Sequence, residues 1–359
     1  MTTSVSVRSG LGLSLTALFI SALPWGAVPA GAQTVREVFE KVSPSVAVIR
    51  ARGRDVTASG QTRFAETGSG VLISADGKVM TAAHVVHAMD EISVEFIGSD
   101  TVAARVVSSE PAADLSLLQL ERVPPGAKVA AMADSSTVHV GDQVIVVGAP
   151  YGLSYSLSVG YISARWPPNT VYKTMPLAEF FQTDATINTG NSGGPMFNMK
   201  SEVVGIVSHN ISKGGGSEGL GFVVTANTVK SLLFDKRPFY LGIDGQIVSG
   251  PVAMLLNVPQ DGGYLVRTVV KDSLAERLGL RAGNRSATID GQPLVLGGDI
   301  ILAAQGIELT TIDDLIHASK AIRDQPPGQQ VRMRVLRAGK VVELATTWSG
   351  GPETGAAPR

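Results

Sequence analysis

"NTGNSGGPMFNMKSEVVGIV", Asn188 to Val207, places one serine among three glycines and follows it with a proline and an apolar run. The core of the stretch satisfies G-x-S-x-G, the elbow at which a strand turns sharply into a helix and exposes a nucleophilic serine. That elbow needs a helix directly after the serine, and here Pro195 and a strand-like run stand in its place. Chain order separates the folds further. An α/β-hydrolase runs Ser, acid, His, which leaves only His209 or His317 as the base. His209 is too close to Ser192 for an acid-bearing loop to intervene, and His317 falls in the middle of a helical pattern. The order His, Asp, Ser fits instead: "TAAHVV" ends a strand at His84, and "DLSLLQL" opens with Asp114. A free hydroxyl is a weak nucleophile at neutral pH, so Ser192 needs a base such as His84, and the imidazole needs an acid such as Asp114 to orient it.

Outward from this stretch the chain reads as β-rich. Short apolar runs alternate with turn signals: "GVLISADGKVMTAAHVV", "EISVEFI", "TVAARVVSS", "LSLLQL", "QVIVVGAP", "LSVGYISA", "EFFQTDA", "EVVGIVSHN" and "LGFVVTAN". Asp76-Gly77 between two runs is a hairpin signal, and the regular spacing suggests a sandwich or barrel. "TVREVFEKV" predicts a short helix ending before Pro44, and the polar "RGRDVTASGQTRFAETG" after the first strand predicts a short loop. A helical pattern, "TANTVKSLLFDKR", closes this region before Pro238. A second unit mixes strands ("GYLVRTVV", "DIILAAQGIEL", "VRMRVLRAGKVVELATTW") with two helices ("SLAERLG", "TIDDLIHASKAIRD").

Composition sets the outer bounds. A chain of 359 residues suggests two or three domains, and 30 basic against 31 acidic residues give no sign of a nucleic-acid partner. Aromatics are 5% and glycines number 40, which suits a turn-rich β protein. There is no cysteine, which excludes disulfides, thiol catalysis and cysteine-bound metals. His87 lies one turn beyond His84 without a carboxylate at matching spacing, so it reads as a packing histidine, and no metal or cofactor is expected. "GGGSEG" (214–219) fits G-x-G-x-x-G but leads into a strand, which argues against a nucleotide loop. Arg8, the apolar Leu11 to Leu23 and "AGA" at 30–32 form an export signal over residues 1–32, with the mature chain starting at Gln33; the alternative is an uncleaved anchor.

"TAAHVV", "ADLSLLQL" and "TDATINTGNSGGPMFN" together resemble the three active-site blocks of HtrA/Deg-type serine proteases, and the likeness extends from "EKVSPSVAVI" to "GLGFVVTANTV". Thr189 stands where many members carry proline and Ser116 where alanine is usual. The resemblance implies a mostly β fold: a chymotrypsin-like double β-barrel protease domain (33–232), a linker (233–238) and a small α+β PDZ domain (239–348), followed by a disordered tail (349–359). It implies His84, Asp114 and Ser192 as the catalytic triad. Gly190, Asn191 and Ser192 would form the oxyanion loop, in which the amides of 190 and 192 donate. Asn191 stands where trypsin-like zymogens carry aspartate, so activation by a new N-terminus is not expected, and 163–179 becomes the candidate for ordering the loop instead. Substrate would pair with Ser208, His209 and Asn210. A pocket would be framed by Thr186, Ile187, Asn188 and Thr189, by Ile206, Val207 and Ser208, and by Gly219 and Gly221; no aspartate stands at its base, which argues for a small aliphatic residue there.

In the second unit "YLGI" resembles a PDZ carboxylate-binding loop, with Tyr240, Leu241, Gly242 and Ile243 receiving a C-terminal peptide at a sheet edge. The reading is a periplasmic endopeptidase of protein quality control, DegS/DegQ-like, acting on unfolded polypeptides. The short loop after the first strand favours a homotrimer over a long-armed cage. A PDZ-guided binding protein with little hydrolysis, or a sensor that cuts one membrane regulator, are the alternatives.

Overall fold

The computed structural model describes residues 1–5, 33–57, 60–152, 155–214, 216–289 and 291–351. The segments expected to be an export signal (1–32) and a disordered tail (349–359) lie almost entirely outside these residues. Two units separate, Met1–Ala32 and Gln33–Arg359, and the second holds every element of the fold.

Helix α1 (Val35–Val42) opens on a capping box in which Thr34 and Glu37 satisfy each other's backbone amides, and it ends at the short turn around Pro44. Six strands follow: β1 (Val46–Thr57), β2 (Gly60–Leu72), β3 (Lys78–Thr81), β4 (Glu91–Phe96), β5 (Thr101–Glu110) and β6 (Leu115–Leu120). They close into an antiparallel barrel in the order β1-β2-β3-β6-β5-β4, with helix α2 (Ala83–Val86) between β3 and β4. Ile49, Leu72, Val79, Val94, Phe96 and Leu118 fill its interior.

The second barrel uses β7 (Ala131–Met132), β8 (Gln143–Gly148), β9 (Ser156–Trp166), β10 (Phe180–Thr183), β11 (Pro195–Asn198), β12 (Glu202–Asn210) and β13 (Gly221–Thr225). The order is β11-β8-β9-β10-β13-β12, and pairing of β11 with β12 closes the ring while β7 adds in parallel to β12. Met80, Leu115 and Leu117 of the first barrel pack with Ile145, Val147, Phe197 and Phe222 of the second in one buried cluster. The fold is thus a mostly β, chymotrypsin-like double barrel.

One expectation is corrected. Residues 52–57 and 60–68 are not a loop: β1 and β2 pair as antiparallel strands from Val46↔Val71 out to Thr57↔Gly60. The segment lacks apolar alternation because ionic side chains line it. Arg50, Arg52 and Arg54 reach Glu95, Glu91 and Asp90 across β4 and the turn before it, and the bare backbone of Gly53 lets the Phe64 ring and the Met89 sulfur pack closely against it. The short loop that favoured a homotrimer is therefore absent.

After helix α3 (Ala226–Val229) and one further helical turn (Lys230–Phe234), the chain enters a smaller α+β region. Its strands are β14 (Ile243–Ser249), β15 (Gly262–Val269), β16 (Arg285–Ile289), β17 (Gln292–Leu296), β18 (Ile300–Ala304), β19 (Ile307–Glu308), β20 (Gln330–Arg337) and β21 (Lys340–Thr347). The sheet order β14-β15-β18-β20-β21 leaves β14 on an edge. Helices α4 (Gly250–Leu255), α5 (Leu274–Leu278) and α6 (Ile312–Asp324) accompany it, and Trp348 is buried in its core with Phe239. Strands β16 and β17 pair only with each other, as a hairpin set off from the main sheet.

Candidate active site

Strands β3 and β6 are neighbours, with Thr81 opposite Ser116, so the residues just beyond their ends face each other. His84 sits on α2 directly after β3. Asp114 caps the short turn Pro111–Ala113 ahead of β6 in the left-handed region (φ 54°, ψ 42°), which aspartate tolerates better than most residues. Asp114 is buried and accepts from the His84 backbone amide at 3.0 Å, and both of its oxygens lie 3.0 Å from His84 Nδ1. Its own carbonyl accepts from Ala83 N. Burial lowers the imidazole's affinity for a proton, but the hydrogen bond and charge of Asp114, aided by the charge of Glu66, outweigh it and leave His84 raised above the ordinary histidine value.

Ser192 lies between β10 and β11 on a loop whose backbone is tightly tied. Gly193 N donates to Val207 O at 2.7 Å, Val207 N to Gly194 O at 2.8 Å, and Asn191 N to Asn188 O at 3.0 Å. Gly190 (φ +101°) and Gly193 (φ +81°) occupy the region that favours glycine, and a Cβ there would collide with the Ala149 carbonyl and the Thr81 hydroxyl respectively. Ser69, on β2 of the other barrel, braces the loop: its Oγ donates to Gly190 O at 2.8 Å and accepts from Ala149 N at 2.9 Å, while its amide donates to Ser192 O at 2.8 Å. Among the described residues the amides of Gly190 and Ser192 donate to nothing, as an oxyanion site requires. Asn191 is buried, and its Nδ2 donates to Thr186 O at 3.4 Å. The Ser192 hydroxyl is donated to Ser208 O at 3.2 Å, and no bond from it to His84 occurs among the described residues.

Strand β12 passes beside Asp114 and Ser192. Ser208 Oγ donates to Asp114 Oδ2 and lies 2.9 Å from His209 Nδ1. The His209 ring is stacked on Phe222 and met edge-on by Tyr172 (centroids 4.2 Å) and Phe180. Burial, with the nearby charge of His84 as a lesser cause acting in the same direction, pushes His209 down to about 4.

His84, Asp114 and His209 line a cleft of about 780 Å³ that also takes in Arg54, Glu66, Asp244 and Arg267. Thr186, Asn188 and Asn191 line a separate hollow of about 400 Å³ with Leu157 and Val159. Ile206 and Val207 are buried in the core, as is Ile187, whose side chain occupies the space in front of Gly221. Asn210 Nδ2 donates to Gly216 O, and Ile211 N to Leu220 O, holding the loop that carries Gly219; Thr189 accepts from Tyr151 N. No motif in the sequence marks Ser69 or Tyr172, because each acts across a distance that no local pattern records.

Residues 68–206 match the family model described as a trypsin-like peptidase domain. A DegP-like periplasmic serine endoprotease of Ectopseudomonas mendocina is 32% identical over 329 residues, 89% of this chain and 62% of that protein. The periplasmic pH-dependent serine endoprotease DegQ of Escherichia coli K12 is 29% identical over 364 residues, 94% of this chain and 75% of that protein. Two solved structures of the HtrA-type protease AlgW with decapeptide align at TM-scores of 0.53 and 0.50, each 25% identical and covering 90% of this chain and 100% of that one. The chain is similar to HtrA/Deg-type trypsin-like proteases over most of its length. It spans about 60% of the length of the first curated relatives it matches.

The smaller region reaches the first barrel beside His84. Tyr240 Oη donates to the carbonyl of His87 at 2.7 Å, and the two rings meet edge-on at 5.8 Å. His87 follows α2 as its cap and is bonded through Nδ1 to Ser109 Oγ. Ser109 N donates to Phe239 O, and Arg323 of α6 meets Glu110 of β5 at 3.5 Å, both side chains nearly buried. Leu241 and Gly242 offer their carbonyls to Ala275 N and Val270 N, while their amides are unengaged among the described residues; Ile243 begins the edge strand β14. No helix among the described residues is long and apolar enough to cross a membrane.

Proposed function

We propose that the chain is a serine endopeptidase that cleaves unfolded polypeptides in the periplasm, with His84, Asp114 and Ser192 as its triad. The observation that carries this reading is the buried Asp114 carboxylate gripping His84 Nδ1 beside a glycine loop whose 190 and 192 amides are free. Asp114 holds Nδ1 protonated, which leaves Nε2 as the base. Ser192 Oγ gives its proton to Nε2 and attacks the peptide carbonyl, and the charged imidazole is stabilised by Asp114. The developing oxyanion takes hydrogen bonds from Gly190 N and Ser192 N, each contributing about 3 to 4 kcal/mol to lowering the barrier. His84 then protonates the leaving amine, and water repeats the sequence on the acyl-enzyme.

Substrate backbone pairs with β12 near Ser208 to Asn210, and a C-terminal peptide adds to the β14 edge with its carboxylate on the amides of the 240–243 loop. Export by residues 1–32 and assembly as a homotrimer complete the reading, the trimer resting on the resemblance to HtrA/Deg-type proteases and no longer on a short loop; sedimentation of the mature chain measures it. Casein cleaved by wild type and not by Ser192→Ala supports the protease. Equal cleavage by both, or by neither, refutes it.

A second reading, a peptide-binding protein with little hydrolysis, is favoured by one observation: the Ser192 hydroxyl is turned onto Ser208 O. Catalytic bonds of ligand-free sites are often formed only with substrate, which is why the first reading stands ahead.

A further inference from the structure

The hydrogen-bond chain behind the triad does not end at Asp114. Ser208 Oγ has one proton, and the Asp114 carboxylate can only accept, so that proton lies toward Oδ2. Ser208 Oγ must then accept from His209 Nδ1 at 2.9 Å, which fixes the neutral imidazole as the Nδ1–H tautomer. Its other nitrogen, Nε2, is buried with no hydrogen-bond partner among the described residues, and so is the Tyr172 hydroxyl. Packing alone gives no reason for this: a site walled by Tyr172, Phe180 and Phe222 is filled more favourably by an apolar ring than by one with a bare buried nitrogen. What the imidazole has and a phenyl ring lacks is the Nδ1 proton.

We propose that His209 is a positioning residue of the catalytic site, which directs the Ser208 hydroxyl proton onto Asp114, and that Tyr172 of the 167–179 segment holds His209 in place to do so. This rests on the protease reading. Asp114 thereby receives donors from His84 N, His84 Nδ1 and Ser208 Oγ, and the last is oriented only while His209 occupies the hydroxyl's lone pair. The titratable groups facing His209 are Asp114 and His84 across the site and the Tyr172 phenol beside its ring; Phe180 and Phe222 contribute none. Buried as it is, His209 stays neutral throughout the range in which a His-Asp-Ser site works, so the chain of donors is constant there. Tyr172 is in turn tied to its surroundings through contacts with Phe180 and Phe222. Movement of the 167–179 segment therefore reaches the catalytic acid through a single imidazole.

The sign of the effect follows from the chemistry. A carboxylate that loses an oriented donor is a stronger base and holds the proton on His84 more tightly, so the His84 pKa rises. The test titrates the imidazoles by NMR in the full chain on a Ser192→Ala background, and measures peptide hydrolysis in the matching chains with Ser192 intact. His209→Phe keeps the ring and removes the donor; His209→Asn keeps an N–H near the Nδ1 position. Expected for His209→Phe are a His84 pKa higher by at least half a pH unit and a five- to twentyfold lower kcat with KM within twofold. His209→Asn should return both values to within about twofold of wild type. A His209→Phe chain indistinguishable from wild type overturns the proposal, and so does a His209→Asn chain as impaired as His209→Phe, which would mark a packing role. Without any variant, an Nε2–H tautomer of His209 between pH 5 and 9 in the parent chain also overturns it. If Ser192 proves dispensable for hydrolysis the protease reading falls, while the His84 titration still decides the role of His209.

Discussion

Ser69→Ala tests the link between the two barrels. The Ser69 side chain is fully buried and its oxygen serves two backbone groups at once, accepting from Ala149 N and donating to Gly190 O. Removing it leaves a buried amide and a buried carbonyl without partners, and each such group costs about 1–3 kcal/mol. The hydroxyl vacates less space than a water requires, and a Cβ on Gly148 or Gly194 would come within 2.9 or 3.0 Å of Ser69, so solvent cannot substitute. The expected loss of stability is about 2–6 kcal/mol by urea denaturation. Gly190 O and the Gly190 amide sit on adjacent peptides joined at one Cα, so a carbonyl left unheld loosens the aim of that amide, and full loss of one oxyanion donor costs about 10²–10³ in kcat. With turning incomplete, kcat should fall about 10- to 100-fold while KM stays within twofold, since the lost interaction belongs to the transition state. Active-site titration with a serine-directed acylating reagent separates slow turnover from a smaller active fraction. A variant with kcat within twofold of wild type and stability within about 0.5 kcal/mol would refute the reasoning.

Three further outcomes are expected. Because Asp114 and Glu66 raise His84 despite its burial, the acidic limb of kcat/KM against pH should lie above 6.5, activity falling as pH drops through it; a limb at or below that value contradicts the geometry. Arg323→Ala strands the buried Glu110 and should cost about 3–5 kcal/mol at neutral pH in chemical denaturation, while Glu110→Gln should cost less. Glu110 already has a raised pKa, chiefly from burial, and losing Arg323 raises it further. A proton held more tightly in the folded state stabilises below the unfolded value and is lost as pH rises, so the Arg323→Ala defect should shrink on acidification. Tyr172→Ala admits water to His209, whose pKa should climb from about 4 toward the ordinary histidine value and appear in an NMR titration as a second histidine near that of His84.

Much of the fold was legible because its strands announce themselves by apolar runs between turn residues, and β6, β8, β10, β12 and β13 lie where such runs predict. The outer half of the β1–β2 hairpin was not legible, since Arg50, Arg52 and Arg54 support it by ion pairs to residues some forty positions away. At the site, the order His84, Asp114, Ser192 and the glycine-rich loop could be read locally. The surroundings could not: Tyr172, Phe180, His209 and Phe222 are scattered over three strands and a loop, and only the closed second barrel gathers them. The roles of Ser69 and Tyr240 likewise arise from contacts 121 and 153 residues apart.

The brace between Ser69 and the serine loop has a bearing on the life of the chain before it is fully formed. In the proposed triad His84 and Asp114 arise in the first barrel and Ser192 in the second, and three hydrogen bonds through Ser69 of the first barrel brace the Ser192 loop and its neighbour Ala149. Neither half carries a working set of groups alone. On the proposed reading, a chain with one barrel come apart is therefore harmless to its neighbours, and cutting power arrives only once both barrels have formed. Hydrolysis should accordingly lag behind the recovery of β-structure during refolding.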